Sequence, residues 1–200
     1  MGYGKLRMRK SKGLSFYRRR KKISTAILHE ILSYVLGIAI AAFLAFVIVY
    51  FVGIRTSVIG VSMEPALYNG QEILINRFIY KLSNPKAGDV VVFLPNGNQN
   101  THYYVKRVVA VPGETVQIVE GILYVNGAPV EDDTYDLIAD AGIAEHEIKL
   151  GNDEYFVLGD NCNSSEDSRS GNIGAVARDD IVGKAWFKLS EGSNSMGPIK

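Results

Sequence analysis

Two serines share one local pattern, Ser-Met-x-Pro: Ser62 in "VSMEPALYNG" (61–70) and Ser195 in "SNSMGPIK" (193–200). A serine hydroxyl is a poor nucleophile until a base takes its proton, so chemistry at either serine requires a partner. Ser195 stands in a small, polar C-terminal tail expected to fray, with no strand after it to hold it beside anything. Ser62 is bracketed by Gly60 and Pro65 and precedes the turn "LYNG", which leads into a strand. That setting can aim a hydroxyl and its own amide, although a serine in a turn also serves as an ordinary hydrogen-bonding group.

The histidines supply no base. His29 precedes a long apolar run, His102 opens a strand at a polar edge, and His146 lies between Glu145 and Glu147 on what reads as a solvated face. "YYVKRVVAVPGE" (103–114) offers an amine instead. Side chains alternate faces along a strand, so Tyr104, Lys106 and Val108 share one side and Val105, Arg107 and Val109 the other. Two readings are open. Lys106 lies on a solvated face while Arg107 pairs with an acid, or Lys106 is desolvated and largely neutral. An unperturbed lysine is only about 0.1% free base near pH 7.4. Burial lowers a lysine by up to about 3–5 units, which would make it a usable general base.

A third cluster, "YFVLGDNCNSSEDSR" (155–169), runs from a strand into a loop of acids, amides, serines and an arginine. Its spacing matches no calcium hand, and no metal or cofactor is expected. As a support loop it offers hydroxyls to hold an amine, with Asp167 and Arg169 to hold the loop.

Such groups need a rigid frame. "EILINRF", "DVVVFL", "TVQIV", "ILYV", "EYFVLG" and "DIVGKAWF" are short runs rich in Val, Ile and aromatics, separated by Gly, Pro, Asn and Asp. They read as strands and turns. Two hairpins are predicted, at Glu120-Gly121 and at Asn126-Gly127, the latter a favoured type I′ pair. "TYDLIADAGI" (134–143) has the spacing of a short helix or a covering loop. A single cysteine, Cys162, makes no internal disulfide, so the domain stands on its hydrophobic core. The fold class is mainly antiparallel β.

Ahead of this domain, residues 31–54 contain no charged residue; as a helix they reach about 36 Å, enough to cross about 30 Å of hydrocarbon. Residues 1–22 carry ten of the 22 Lys and Arg and no acid, leaving 12 against 21 Asp and Glu in the rest. A basic arm before an apolar span, with Arg55 the only cation over residues 54–76, puts the N-terminus in the cytoplasm. The arm then reads as contact with lipid headgroups rather than nucleic acid. A cleavable secretory signal fits poorly, because the apolar run is long and no small-x-small site ends it. The expected division is a basic arm (1–30), an anchor (31–54), an extracytoplasmic β domain (55–190) and a flexible tail (191–200).

Behind that anchor, "SMEPAL" (62–67), "GDVVVF" (88–93), "YVKRVVAVPGE" (104–114), "YVNGAPV" (124–130) and "GDNCNSSEDSR" (159–169) occur in order. Together they resemble the bacterial type I signal peptidases, membrane-bound Ser/Lys endopeptidases that remove signal peptides from exported proteins. The resemblance implies a signal-peptidase-like antiparallel β domain with an extended substrate groove. It implies Ser62 as nucleophile, Lys106 as general base, and Ser165 as the hydroxyl that orients the amine. Asp160, Asp167 and Arg169 become structural supports. The implied partners are signal peptides, with small residues at positions one and three before the cut, and the bilayer.

Three positions depart from the family pattern. Gly60 stands where some members carry a serine that helps stabilise the oxyanion, so the hole relies mainly on the Ser62 amide. Cys162 replaces a frequent arginine, and Ser164 a usual asparagine. Three rivals predict other things: a self-cleaving Ser/Lys regulator needs a DNA-binding helix pair, a non-catalytic homologue would not need Ser62 or Lys106, and a nucleic-acid binder would show salt-sensitive DNA binding.

Overall fold

The computed structural model describes residues 25–52, 54–98, 101–130, 135, 137–189 and 196–199. Residues 1–24 of the basic arm, and Ser195, lie outside them. The chain forms two units, Met1–Phe43 and Leu44–Lys200.

Helix α1 (Thr25–Val52) starts six residues earlier than the uncharged run. The stretch Thr25–Val47 is long and apolar enough to cross a membrane, and none of it is buried within the protein. A helix this apolar and this exposed, with Glu30 its one acid near the N-terminal end, matches a lipid-facing segment. Ile54, expected at the end of the span, belongs instead to a strand.

Among the described residues twelve strands follow: β1 (Ile54–Ser57), β2 (Glu72–Asn76), β3 (Val90–Phe93), β4 (Tyr104–Ala110), β5 (Thr115–Val119), β6 (Ile122–Val125), β7 (Ala128–Pro129), β8 (Ile148–Lys149), β9 (Glu154–Leu158), β10 (Val176–Ala177), β11 (Ile181–Lys188) and β12 (Gly197–Pro198). A one-turn helix, α2 (Ile79–Leu82), interrupts the β2–β3 connection; the sequence reading missed it. All pairings are antiparallel. The large sheet runs β1-β2-β11-β3-β4-β9-β10, with β12 also on β11, and the small sheet runs β7-β6-β5-β8.

The large sheet is covered on both faces around β3. Val90 and Val92 enter one apolar cluster and Val91 and Phe93 another, which is why "VVVF" shows no polar alternation. Strand β11 shifts register between Ile181 and Gly183 and again between Ala185 and Phe187. Such bulges bend a strand. At Gly183 a Cβ would meet the Asn76 carbonyl oxygen at 2.6 Å, so the close approach of β2 needs glycine there.

Both predicted hairpins form. Their two-residue loops have positive φ at both positions, Glu120 and Gly121, then Asn126 and Gly127, as type I′ turns require. The described residues of the 134–143 segment, 135 and 137–143, form the covering loop rather than an α-helix: Ile138 donates its amide to the Gly121 carbonyl and is buried over the small sheet, and Gly142–Glu145 makes a 3-10 turn. Of the expected flexible tail, 191–200, only residues 196–199 are described, and these are docked rather than frayed. Gly197 and Pro198 pair with Lys188 and Phe187, and Ile199 packs against the core, because an apolar residue beside an open strand edge gains more from docking than from fraying.

Candidate active site

The turn from β1 to β2 presents Ser62. Met63 and Leu67, both fully buried, sink into the core, and the Leu67 amide donates to the Met63 carbonyl at 2.8 Å. Upstream, Gly60 sits at φ +90° and donates its amide to Asn69 Oδ1 at 2.9 Å. Downstream loop residues hold the other side: the Asn161 amide donates to the Ser62 carbonyl at 3.0 Å.

Strand β4 brings Lys106 to that turn. Residues 105–110 are all buried, so neither face of the strand is solvated, and Lys106 is 4% exposed. Its Nζ donates to Ser62 Oγ at 2.6 Å and lies 5.7 Å from the centroid of the Tyr104 ring. Among the described residues no carboxylate is within ion-pair distance of it. Burial lowers its pKa from the ordinary 10.5 to about 8; the charges of Asp167 and Glu166 push it back up, and Arg169 pulls it down. At that value roughly a tenth of the amine is neutral near pH 7, several hundred times the unperturbed share. The burial that the desolvated reading requires is present, but the amine is mostly protonated near pH 7 rather than largely neutral. From the other reading, the acid partner of Arg107 also proves real.

That partner is Asp160. Arg107 Nε and Nη2 donate to its two oxygens at 2.8 and 2.7 Å, with both groups buried, and Nη1 donates to the Gly88 carbonyl at 3.0 Å. This fork fixes the start of the polar loop against β4, and the next residue, Asn161, grips Ser62. Arg169 makes the same two-pronged contact with Asp167, at 2.8 and 3.0 Å, and donates to the carbonyls of Asp140 and Cys162. Asp167 Oδ2 in turn accepts the Gly159 amide at 3.2 Å. The two sequence-expected supports of the loop are thus both engaged. Cys162 is buried and directs its thiol at the Gly159 carbonyl.

Ser165 differs from expectation. Its hydroxyl is buried and has no hydrogen-bond partner among the described residues, so the expected bond to the Lys106 amine is not made. It packs close to the Ser62 backbone: a Cβ on Gly159 would lie 2.3 Å from Ser165 Oγ and 2.4 Å from the Ser62 carbonyl oxygen. Gly159 is required because the two serines converge on it.

A cleft of about 280 Å³ opens at this pair, walled by Val58 to Ser62 on one side and His102 to Lys106 on the other. Strand β4 pairs with β3 from Tyr104, but with β9 only from Arg107 onward. The stretch Tyr104–Lys106 consequently keeps an open edge on its β9 side. A larger cavity of about 520 Å³ lies against the same polar loop but is lined by neither Ser62 nor Lys106.

A buried amine on a serine hydroxyl is the arrangement the sequence resemblance implied, and comparison with known proteins decides the family. The profile of the family described as signal peptidase, peptidase S26, matches residues 31–190. The chain belongs to that family. It is 36% identical over 163 residues to signal peptidase I T of Bacillus subtilis (strain 168), covering 76% of this chain and 81% of the relative. Signal peptidase I of Bacillus amyloliquefaciens is 34% identical over 179 residues, covering 84% and 92%. Signal peptidase IB of Staphylococcus aureus (strain COL) is 34% identical over 178 residues, covering 80% and 90%. This S26 peptidase is a serine endopeptidase, and its apolar N-terminal helix fits a membrane-spanning segment.

The sequence reading of the S26 site missed Asn69, Asn161, Glu166 and the identity of Arg107's partner. Asn69 gave one local signal, its place in a turn. The others make contacts across 53 or more positions, which spacing along the chain does not reveal.

Proposed function

We propose that this enzyme removes N-terminal signal peptides from exported preproteins, with Ser62 as nucleophile and Lys106 as general base. The observation that carries this reading is the 2.6 Å contact between the Ser62 hydroxyl and a buried amine with no carboxylate partner. When Lys106 is neutral, its lone pair accepts the Ser62 proton as Oγ attacks the scissile carbonyl carbon. The ammonium then gives that proton to the leaving nitrogen as the C–N bond breaks. Water attacks the acyl ester in the same way, losing a proton to Lys106, which returns it to Ser62 Oγ.

The developing oxyanion meets the Ser62 amide, which donates to no acceptor among the described residues. The Gly60 amide is occupied by Asn69, and Gly60 brings no hydroxyl. Since one missing oxyanion donor costs about 3–4 kcal/mol where nothing replaces it, this reading places most of that stabilisation on one backbone amide, supplemented by water. Asp160, Asp167 and Arg169 act as supports through their ion pairs. Ser165 is the hydroxyl that holds the Lys106 amine after it leaves Ser62; in the resting arrangement it makes no such bond.

An extended substrate adds to the open edge of β4, the mode in which main-chain bonds give affinity and pockets give specificity. Val58, Val61 and Val105 wall the cleft and suit small apolar side chains. The basic arm lies in the cytoplasm and α1 crosses the bilayer, leaving the β domain outside. Anchoring keeps the site in the plane where its substrates are embedded and raises their effective concentration.

The test is cleavage of a preprotein by the full chain in detergent–lipid micelles. Ser62→Ala and Lys106→Ala should each lose roughly a thousandfold or more. Undiminished cleavage by Ser62→Ala would leave the proposal without a mechanism.

A further inference from the structure

Glu166 stands at a junction that the mechanism does not use. Among the described residues it alone lines both the cleft of Ser62 and Lys106 and the larger cavity beside it. It is exposed, and it accepts a hydrogen bond from the Tyr104 hydroxyl at 3.3 Å, on the strand that carries Lys106. The other charges around it are engaged or distant from ion-pair range. Asp160 is held by Arg107 and Asp167 by Arg169, while Asp140 accepts the Gly142 amide. Among the described residues no cation lies within 4.0 Å of Glu166. The site thus presents an acid with no ion-pair partner among the described residues, its charge felt by the Lys106 amine, at the point where the cleft passes into the adjoining cavity.

We infer that Glu166 sets the charge preference of the enzyme, favouring substrates with a cationic side chain beside the scissile bond and disfavouring acidic ones there. This rests on the proposed function. An extended peptide advances about 3.3 Å per residue. With its scissile carbonyl on Ser62, its neighbours within two or three positions reach the cleft wall where Glu166 stands. A partly solvated pair of opposite charges is worth up to about 1 kcal/mol, which is about fivefold in kcat/KM.

The test uses the full-length enzyme in detergent–lipid micelles and internally quenched peptides carrying Lys, Gln or Glu at each of three positions on either side of the cut. The wild type should cleave the Lys peptides about fivefold better than the Glu peptides at one or two adjacent positions. Glu166→Gln should erase that preference and Glu166→Lys should invert it. In about 1 M salt the wild-type preference should collapse, because the screening length falls to about 3 Å. Unchanged Lys-to-Glu ratios in both variants, or a wild-type preference that survives high salt, overturn the inference. The Gln peptides separate it from the underlying reading. If the wild type cleaves none of the peptides, the peptidase reading and this inference fall together. If it cleaves them with no charge preference at any position, only this inference falls.

Discussion

Lys106 on β4 and Lys184 on β11 occupy one row of one face of the large sheet. Val91 of β3 lies between them, in register with both. Two strand spacings separate them, about 10 Å. The residue type and the valine neighbour are the same, and the outcomes are opposite. Lys184 keeps 30% of its side chain exposed and pairs with Asp89 at 2.5 Å, in the loop that enters β3. Lys106 is sealed in and meets a hydroxyl from the turn after β1. A strand lysine is suited to act as a base when the connection beside it brings a neutral acceptor in place of a carboxylate, and packing removes the water.

The largest effect should separate the two lysines outright. Lys106→Arg should lose roughly a thousandfold or more in preprotein cleavage, because a guanidinium does not deprotonate. Lys184→Arg should keep cleavage within a few-fold, since Arg still pairs with Asp89. A comparable loss at both positions would break the comparison.

Arg107 sharpens it from the opposite face of β4. There the cation has its carboxylate, and both are buried. Asp160→Asn should destabilise the domain by about 3–5 kcal/mol, as expected when one member of a buried pair is removed. Chemical denaturation checks this, and a loss below about 1 kcal/mol would show that the fork does not hold the loop.

The smallest effect is on the pH profile. Burial brings Lys106 to about 8, and in the proposed mechanism the neutral form is the active one. Activity in kcat/KM should therefore climb about tenfold per pH unit below that value and level off above it. An ordinary lysine would keep climbing beyond pH 10. Lys184→Arg should leave the midpoint in place, and a midpoint that moved with it would assign the titration to the wrong amine.

Much of the architecture is legible in local patterns. "DVVVFL" announced a strand, and Asn126-Gly127 announced its hairpin, because β-rich composition and turn chemistry are properties of neighbouring residues. The helix α2 was not legible, since four residues carry too little periodicity. Nor was β12: its two residues acquire strand geometry from β11, not from their own composition. In the site, Ser62 and Lys106 stood out through motif and apolar context. The unpartnered hydroxyl of Ser165, the grip of Asn161 and the position of Glu166 did not.

The order of residues alone decided that an apolar span precedes a β domain, and that one serine and one strand lysine were the groups to watch. Only the tertiary fold decided that those groups touch across 44 positions while Arg107 takes its acid across 53. The physical reason is that an amine's charge depends on the water and partners around it, and distant chain segments supply both. Neighbours in sequence cannot exclude solvent from a side chain; a packed sheet can.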